Sequence, residues 1–215
     1  MRLDAYVVGR IQANCYVVGD DETGEVLVID PGDQVPALLD RIRSRGQRVV
    51  AVAVTHHHLD HSGGTHELLT AVPDARFYMH ALDYPQIEAS APSAPAWYGH
   101  AIEPPRPPDR FLDDGDRFEV GALTFEALHC PGHTPGSLCY VVASEDGESI
   151  VFTGDVLFAG SIGRTDFPGG SHPQLIESIR SKLLALPDET IVLPGHMGAS
   201  TVGRERTTNP FLREG

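Results

Sequence analysis

The apolar positions of this chain fall into short runs separated by turn-forming residues. Residues 5–11 (AYVVGRI), 15–20 (CYVVGD) and 25–30 (EVLVID) are rich in Val and Ile, and GDDETGE breaks them, so three strands are expected. In PGDQVPALLDRIRSRG, Leu38, Leu39 and Ile42 return at helical spacing and Gly46 closes the helix. VVAVAV, residues 49–54, is a continuous apolar run of the kind found in strands buried on both faces. GGTHELLTAV reads as a helix with Ser62 as its cap, and ARFYMH as the next strand. Residues 89–109 are proline-rich and aperiodic, which predicts a surface loop or flap, either a plain connection or one wall of a site. Beyond it, RFEVGALTFEALHC, GSLCYVVAS, SIVFTGD and TIVLPGH read as strands. HPQLIESIRSKLLAL reads as a helix with Leu175, Ile176, Ile179 and Leu183 on one stripe.

Each half of the chain thus runs several strands into a helix and another strand. No internal repeat is visible, and the pattern predicts an α/β fold with mixed sheets, formed by residues 1–215 as one domain.

Composition narrows the function classes. The 41% hydrophobic and 21% charged content is that of an ordinary globular protein, and no apolar run approaches the ~20 residues of a bilayer span. Asp4 and Arg10 interrupt the first apolar stretch, which argues against a signal peptide and for a cytoplasmic protein. Sixteen basic against thirty acidic residues give a net charge of −14, which repels a phosphate backbone. Neither nucleic acid nor membrane is therefore an expected partner, and a small molecule is. Three cysteines, Cys15, Cys130 and Cys139, form no C-x-x-C pair and read as buried thiols.

Histidine is the compositional outlier, with eleven copies. Four segments deliver polar groups at the end of an apolar strand: VAVTHHHLDH, ALHCPGHTPGS, IVFTGDVLF and IVLPGH. They supply His56, His58, Asp60 and His61, then His133, Asp155 and His196. Imidazole and carboxylate suit zinc, iron and manganese, not calcium or magnesium. His56 and His58, two apart in an extended stretch, project to one side, and Asp60 and His61 follow where the chain turns into a helix. Seven donors exceed what one ion needs, which points to two divalent metal ions, zinc first, with iron and manganese compatible. His57 should point away from them. His66, His80, His100 and His172 belong to no motif and read as surface or helix histidines. Arg164 and Asp166 read as an ion pair, with Arg164 a candidate for a substrate carboxylate.

THHHLDH resembles the H-x-H-x-D-H signature of the metallo-β-lactamase fold superfamily, and His133, Asp155 and His196 occur in that family's order. The resemblance implies a four-layer αβ/βα sandwich of two mixed β-sheets flanked by helices. It implies His56, His58 and His133 on one metal, Asp60, His61 and His196 on the other, and Asp155 bridging them together with a hydroxide. GDVLFAGSIGRTDFPGG and PGH…GRERTTNPFL are similar to the short glyoxalase II-like branch, the bacterial hydroxyacylglutathione hydrolases built from the catalytic domain alone. What this branch implies is hydrolysis of S-2-hydroxyacylglutathione thioesters such as S-lactoylglutathione, a step of methylglyoxal detoxification, with Asp60 orienting the hydroxide. Two departures stand out: no C-terminal glutathione-binding helical domain is expected, and the glycine that commonly follows the last histidine is Met197. A glutathione persulfide dioxygenase with a single iron on His56, His133 and Asp155 is the alternative that shares these motifs.

Overall fold

Strand β1 (Arg2–Val8) turns through residues 9–12 into β2 (Ala13–Gly19), and the two pair antiparallel from Arg2–Gly19 to Val8–Ala13 in the computed structural model, which describes residues 1–143 and 147–213. Strand β3 (Glu25–Ile29) continues the antiparallel run, and α1 (Val35–Ser44) carries the chain back to β4 (Arg48–Ala53), now parallel to β3. A right-handed crossover through a helix is the ordinary way to place two consecutive strands parallel. The end of α1 follows from Gly46, whose φ of 70° only glycine adopts freely. Its N–H donates to Arg43 O, and that of Gln47 to Ile42 O, which closes the last helical turn.

Four-residue α2 (Leu59–Ser62) and then α3 (Thr65–Ala71) lead into β5 (Arg76–Met79), and β6 (Arg110–Phe111) completes a six-stranded mixed sheet ordered β1-β2-β3-β4-β5-β6. Between those last strands the loop expectation for residues 89–109 holds over 99–109 and is corrected over 89–98. α4 (Tyr84–Ser90), a 3₁₀ turn (Ala91–Ser93) and α5 (Ala94–Tyr98) are helical, each with a proline in its first turn. Proline lacks only an N–H that has no helical partner there, so Pro92 and Pro95 start helical turns, while Pro104, Pro105, Pro107 and Pro108 lie in the loop as expected. The Ser62 cap is corrected as well: Ser62 ends α2, its hydroxyl donates to His57 O at 3.0 Å, and Gly64 precedes α3.

The chain forms two compact units, residues 1–112 with 119–123, and residues 113–118 with those from 124 onward. The first unit has its own core, in which Val26, Val28, Leu38, Ile42, Val52, Leu68 and Phe77 are all but completely buried. At ~1.5–3 kcal/mol for each such side chain, this burial is what holds α1 and α3 on the sheet.

The second sheet is built from β7 (Arg117–Val120), β8 (Leu123–His129), β9 (Leu138–Ala143), β10 (Ser149–Gly154), β13 (Ile191–Pro194) and β14 (Ser200–Thr201), in the order β14-β13-β10-β9-β8-β7. A two-stranded hairpin, β11 (Leu157–Phe158) and β12 (Ser161–Ile162), follows β10. The expected strand through Ser144 ends at Ala143, and Ser144 and the chain end at Gly215 lie outside the described residues. α6 (His172–Ser178) passes into a π-helical turn over Ile179–Leu183, and Leu175, Ile179 and Leu183 form its buried stripe, as the spacing predicted. Both sheets are mixed and flanked by helices, an α/β architecture. Among the described residues no helix is long and apolar enough to cross a membrane.

The GRERTTNPFL segment has a structural role in this unit. It forms α7 (Val202–Thr208), whose Glu205 is fully buried. The Glu205 carboxylate accepts from Ser200 Oγ, from Gly160 N at 2.8 Å and from Asn209 Nδ2 at 2.8 Å, and Asn209 also donates to Ser161 O. One carboxylate therefore ties α7 to β14 and to the β11–β12 hairpin. Replacing Glu205 with Ala strands three donors, each worth about 1 kcal/mol net. A loss of about 3 kcal/mol in denaturant unfolding is expected, and a loss below 0.5 kcal/mol would show that the clamp contributes nothing.

Candidate metal centre

Strands β3 and β4 are parallel neighbours, so the residues that follow them leave the sheet at one edge. Asp30 follows β3, and Thr55 and His56 follow β4. The Asp30 N–H donates to Ala53 O at 3.0 Å, and φ there is 54°, a left-handed turn that aspartate tolerates better than most residues. Its carboxylate, 2% exposed, accepts from Thr55 N at 2.7 Å, Thr55 Oγ1 at 2.7 Å and His61 Nδ1 at 3.0 Å.

These bonds fix proton positions. The single hydroxyl proton of Thr55 goes to Asp30, so Thr55 Oγ1 accepts from His56 Nδ1 at 2.9 Å. In the neutral ring His56 Nε2 then carries the lone pair, and it lies 3.1 Å from His58 Nδ1. By the same logic His61 gives its Nδ1–H to Asp30 and turns an unprotonated Nε2 toward Asp60 Oδ2, 3.5 Å away. Two nitrogens on one tetrahedral zinc stand about 3.3 Å apart, so the His56–His58 spacing is that of two ligands on one cation.

α2 starts at the turn that follows His58, and the N–H groups of His61 and Ser62 both donate to His58 O. Gly32 makes room for this helix. A Cβ on Gly32 would stand 1.6 Å from the backbone oxygen of Asp60, so no other residue permits the approach. His57 turns away as expected, its N–H and Nδ1 both on Asp83 Oδ2, at 3.0 and 3.1 Å.

The second unit repeats the arrangement. β10 and β13 are parallel, and β9 runs antiparallel to both β8 and β10, so β8, β10 and β13 all end at the same edge. His133, Asp155 and His196 follow those three strands. His133 Nδ1 donates to Arg164 O at 2.7 Å, which leaves the lone pair of the neutral ring on Nε2, 3.6 Å from Asp155 Oδ2. His196 Nε2 is 3.7 Å from the same oxygen, and Gly195 N–H donates to Gly154 O at 2.7 Å to hold that loop. Here Gly163 matches Gly32: its Cβ would meet Asp155 O at 1.7 Å. In the neutral rings these Nε2 lone pairs face carboxylate oxygens, an arrangement of donors that a cation between them satisfies. The donor sets therefore fit metal ions.

Two residues of this region escaped the sequence. Asp30 ends an ordinary strand pattern, and only its position beside a parallel neighbour carrying histidines marks it. Tyr98, which sequence gave no role beyond packing, lies within electrostatic reach of Asp60. Burial and then the Asp60 charge push its phenol well above the usual range.

The remaining positions sort cleanly. Arg164 and Asp166 form the expected pair at 2.6 Å, and its guanidinium holds the Asp166 carboxyl down to about 2. Arg164 also stacks on Phe167, 3.8 Å from the ring centroid. Cys15, Cys130 and Cys139 are buried and free, and burial pushes the Cys15 thiol up. His80 departs from the surface expectation: it is 7% exposed, and its Nδ1 accepts from Leu82 N. Met197 has φ 69°, which explains why glycine suits that position, and its side chain is 62% exposed.

The family model described as the metallo-β-lactamase superfamily matches residues 8–196. An uncharacterized protein of Aquifex aeolicus is 40% identical, covering 96% of this chain and 95% of its own. The hydroxyacylglutathione hydrolase GloC of Haemophilus influenzae is 38% identical, covering 99% and 98%. Among solved structures, the B3 metallo-β-lactamase BLEG-1 superposes with a TM-score of 0.89 at 34% identity over 99% of this chain and all of its own. TTHA1623 in a di-iron-bound form gives 0.84 at 40% over 97% and 100%. ETHE1 from Myxococcus xanthus gives 0.80 at 29% over 98% and 84%.

Partners behind metal ligands commonly change affinity 10–100-fold when removed. Asp30→Asn puts an amide where three donors converge, so zinc affinity measured against a competing chelator is expected to fall by at least about tenfold. Unchanged affinity would show that Asp30 does not set the histidine tautomers.

Proposed function

The chain belongs to the metallo-β-lactamase superfamily, and on that footing we propose that this metallo-hydrolase cleaves thioesters, S-2-hydroxyacylglutathione and above all S-lactoylglutathione, to hydroxy acid and thiol. The observation that carries the metal chemistry is the hydrogen-bond pattern: His56, His61 and His133 each place Nδ1 on a fixed acceptor, so that the neutral ring presents the Nε2 lone pair. The 38% identity to a hydroxyacylglutathione hydrolase over nearly the whole chain supports the substrate class.

In this reading the ligands are His56, His58, Asp60, His61, His133, Asp155 and His196, and they hold two divalent ions, with zinc, iron or manganese suited to the donors. When bound, such ions lower the pKa of a water toward neutrality and polarise the acyl carbonyl. The chain supplies the rest. Asp60, beside His61 Nε2, accepts a hydrogen bond from the attacking water and orients it. The departing thiol has a pKa of about 8.5, so it leaves as thiolate without a strong general acid, and none is evident among the ligands. Arg164 is the residue proposed for a substrate carboxylate. Its pair with Asp166 is solvent-exposed, and such pairs exchange partners at a cost of ~1 kcal/mol or less. A cytoplasmic setting with a small-molecule partner completes the proposal.

Elemental analysis of purified protein is expected to give about two metal ions per chain, as the seven-donor count implies. Chelator dialysis should abolish S-lactoylglutathione hydrolysis and re-added zinc should restore it, and Asp155→Ala should lose both metal and turnover. One iron per chain with oxygen consumed on glutathione persulfide would overturn the hydrolase reading in favour of the dioxygenase.

A further inference from the structure

Asp83 comes directly before α4 and is completely buried. An aspartate at that position ordinarily turns its carboxylate onto the N–H groups of the helix's second and third residues. Here α4 leaves it neither. Pro85, the second residue, has no N–H, and the Gln86 N–H donates to the backbone oxygen of Asp83 at 3.0 Å. The carboxylate turns instead to the histidine string: Asp83 Oδ2 accepts from the His57 N–H at 3.0 Å and from His57 Nδ1 at 3.1 Å. On the other side of the residue, the His57 carbonyl accepts from Ser62 Oγ at 3.0 Å. Both peptide groups that join His57 to His56 and to His58 are thereby tied to groups outside the string. The His57 ring, held by Nδ1, stands edge-on to that of His58, with centroids 4.7 Å apart and planes at 65°.

We propose that Asp83 is a positioning residue for the metal centre: through His57 it fixes the backbone from which His56 and His58 project and the ring against which His58 packs. The proposal rests on the reading of His56 and His58 as ligands of one cation. A spacing of two puts both imidazoles on one side of an extended chain, but only a fixed backbone holds their nitrogens at one separation. It gives the middle histidine a task, because an apolar residue there would offer Asp83 no ring donor. It also accounts for a carboxylate buried at a helix start, which is tolerated only when it is hydrogen-bonded.

Asp83→Ala removes both bonds, and His57→Leu removes the ring bond alone. Zinc binding by the full chain, read by competition with a chromophoric chelator, is expected to weaken at least about tenfold in each. The visible absorption of the cobalt(II)-loaded protein, which reports ligand geometry, should change with it. His57→Asn keeps an amide N–H where Nδ1 lies and should return both readouts close to the wild type. Leu68→Ala opens a cavity in the first unit's core, away from the histidine string; it should lower the thermal midpoint of the metal-free protein and leave zinc affinity and the cobalt spectrum unchanged. Wild-type zinc affinity in Asp83→Ala or His57→Leu overturns the proposal. So does an affinity that simply tracks the metal-free midpoint across all these variants, or a His57→Asn as weak as His57→Leu. His58→Ala separates the remaining failures. If it binds zinc as the wild type does, the ligand reading itself fails. If it loses zinc while His57→Leu does not, only the positioning role is refuted.

Discussion

Parallel pairing of β3 with β4 is the constraint on which the first donor cluster depends. It brings Asp30 and Thr55 out at one sheet edge, and their hydrogen bonds decide which nitrogen of His56 and of His61 carries a proton. A histidine with the wrong tautomer offers a hydrogen where a lone pair is needed, so ligation is settled one layer behind the ligands. Parallel β10 and β13 impose the same logic on the second cluster, where a backbone carbonyl at Arg164 plays the part of Asp30. His61 and His133 are fixed by acceptors that have no proton to give, and His56 by a hydroxyl whose proton Asp30 already holds.

Glycine enables each arrangement. Gly32 and Gly163 lie against the backbone oxygens of Asp60 and Asp155, closer than any side chain would allow. The sheet supplies direction and the glycines supply the last ångström. Rigidity comes from buried apolar neighbours and from Glu205, whose clamp on the β11–β12 hairpin gives the GRERTTNPFL segment a structural role. Met197 lies outside this economy, exposed and in a left-handed conformation beside a candidate ligand.

Much of this was legible in the sequence, and the reason is local. Strands at 15–20, 25–30 and 49–54, the stop at Gly46, and the donors at strand ends each follow from residues within one segment. His57 turning away follows from the period of an extended chain. What sequence missed depends on partners far along the chain. Asp30 gains its role from residues 25 to 31 positions later, so neither periodicity nor spacing marks it. The segment around residue 95 was misjudged for a different reason: prolines signal a loop or a helix start depending on which position they occupy, and composition does not say which. Ser62 carried a cap's chemistry, but the preceding turn claimed its hydroxyl first.

Imidazole tautomers can be read directly. In uniformly ¹⁵N-labelled, zinc-loaded protein, long-range ¹H–¹⁵N correlation spectra are expected to show His56, His61 and His133 protonated at Nδ1 and metal-shifted at Nε2, with His58 the reverse. A proton on Nε2 of any of the first three would contradict the account.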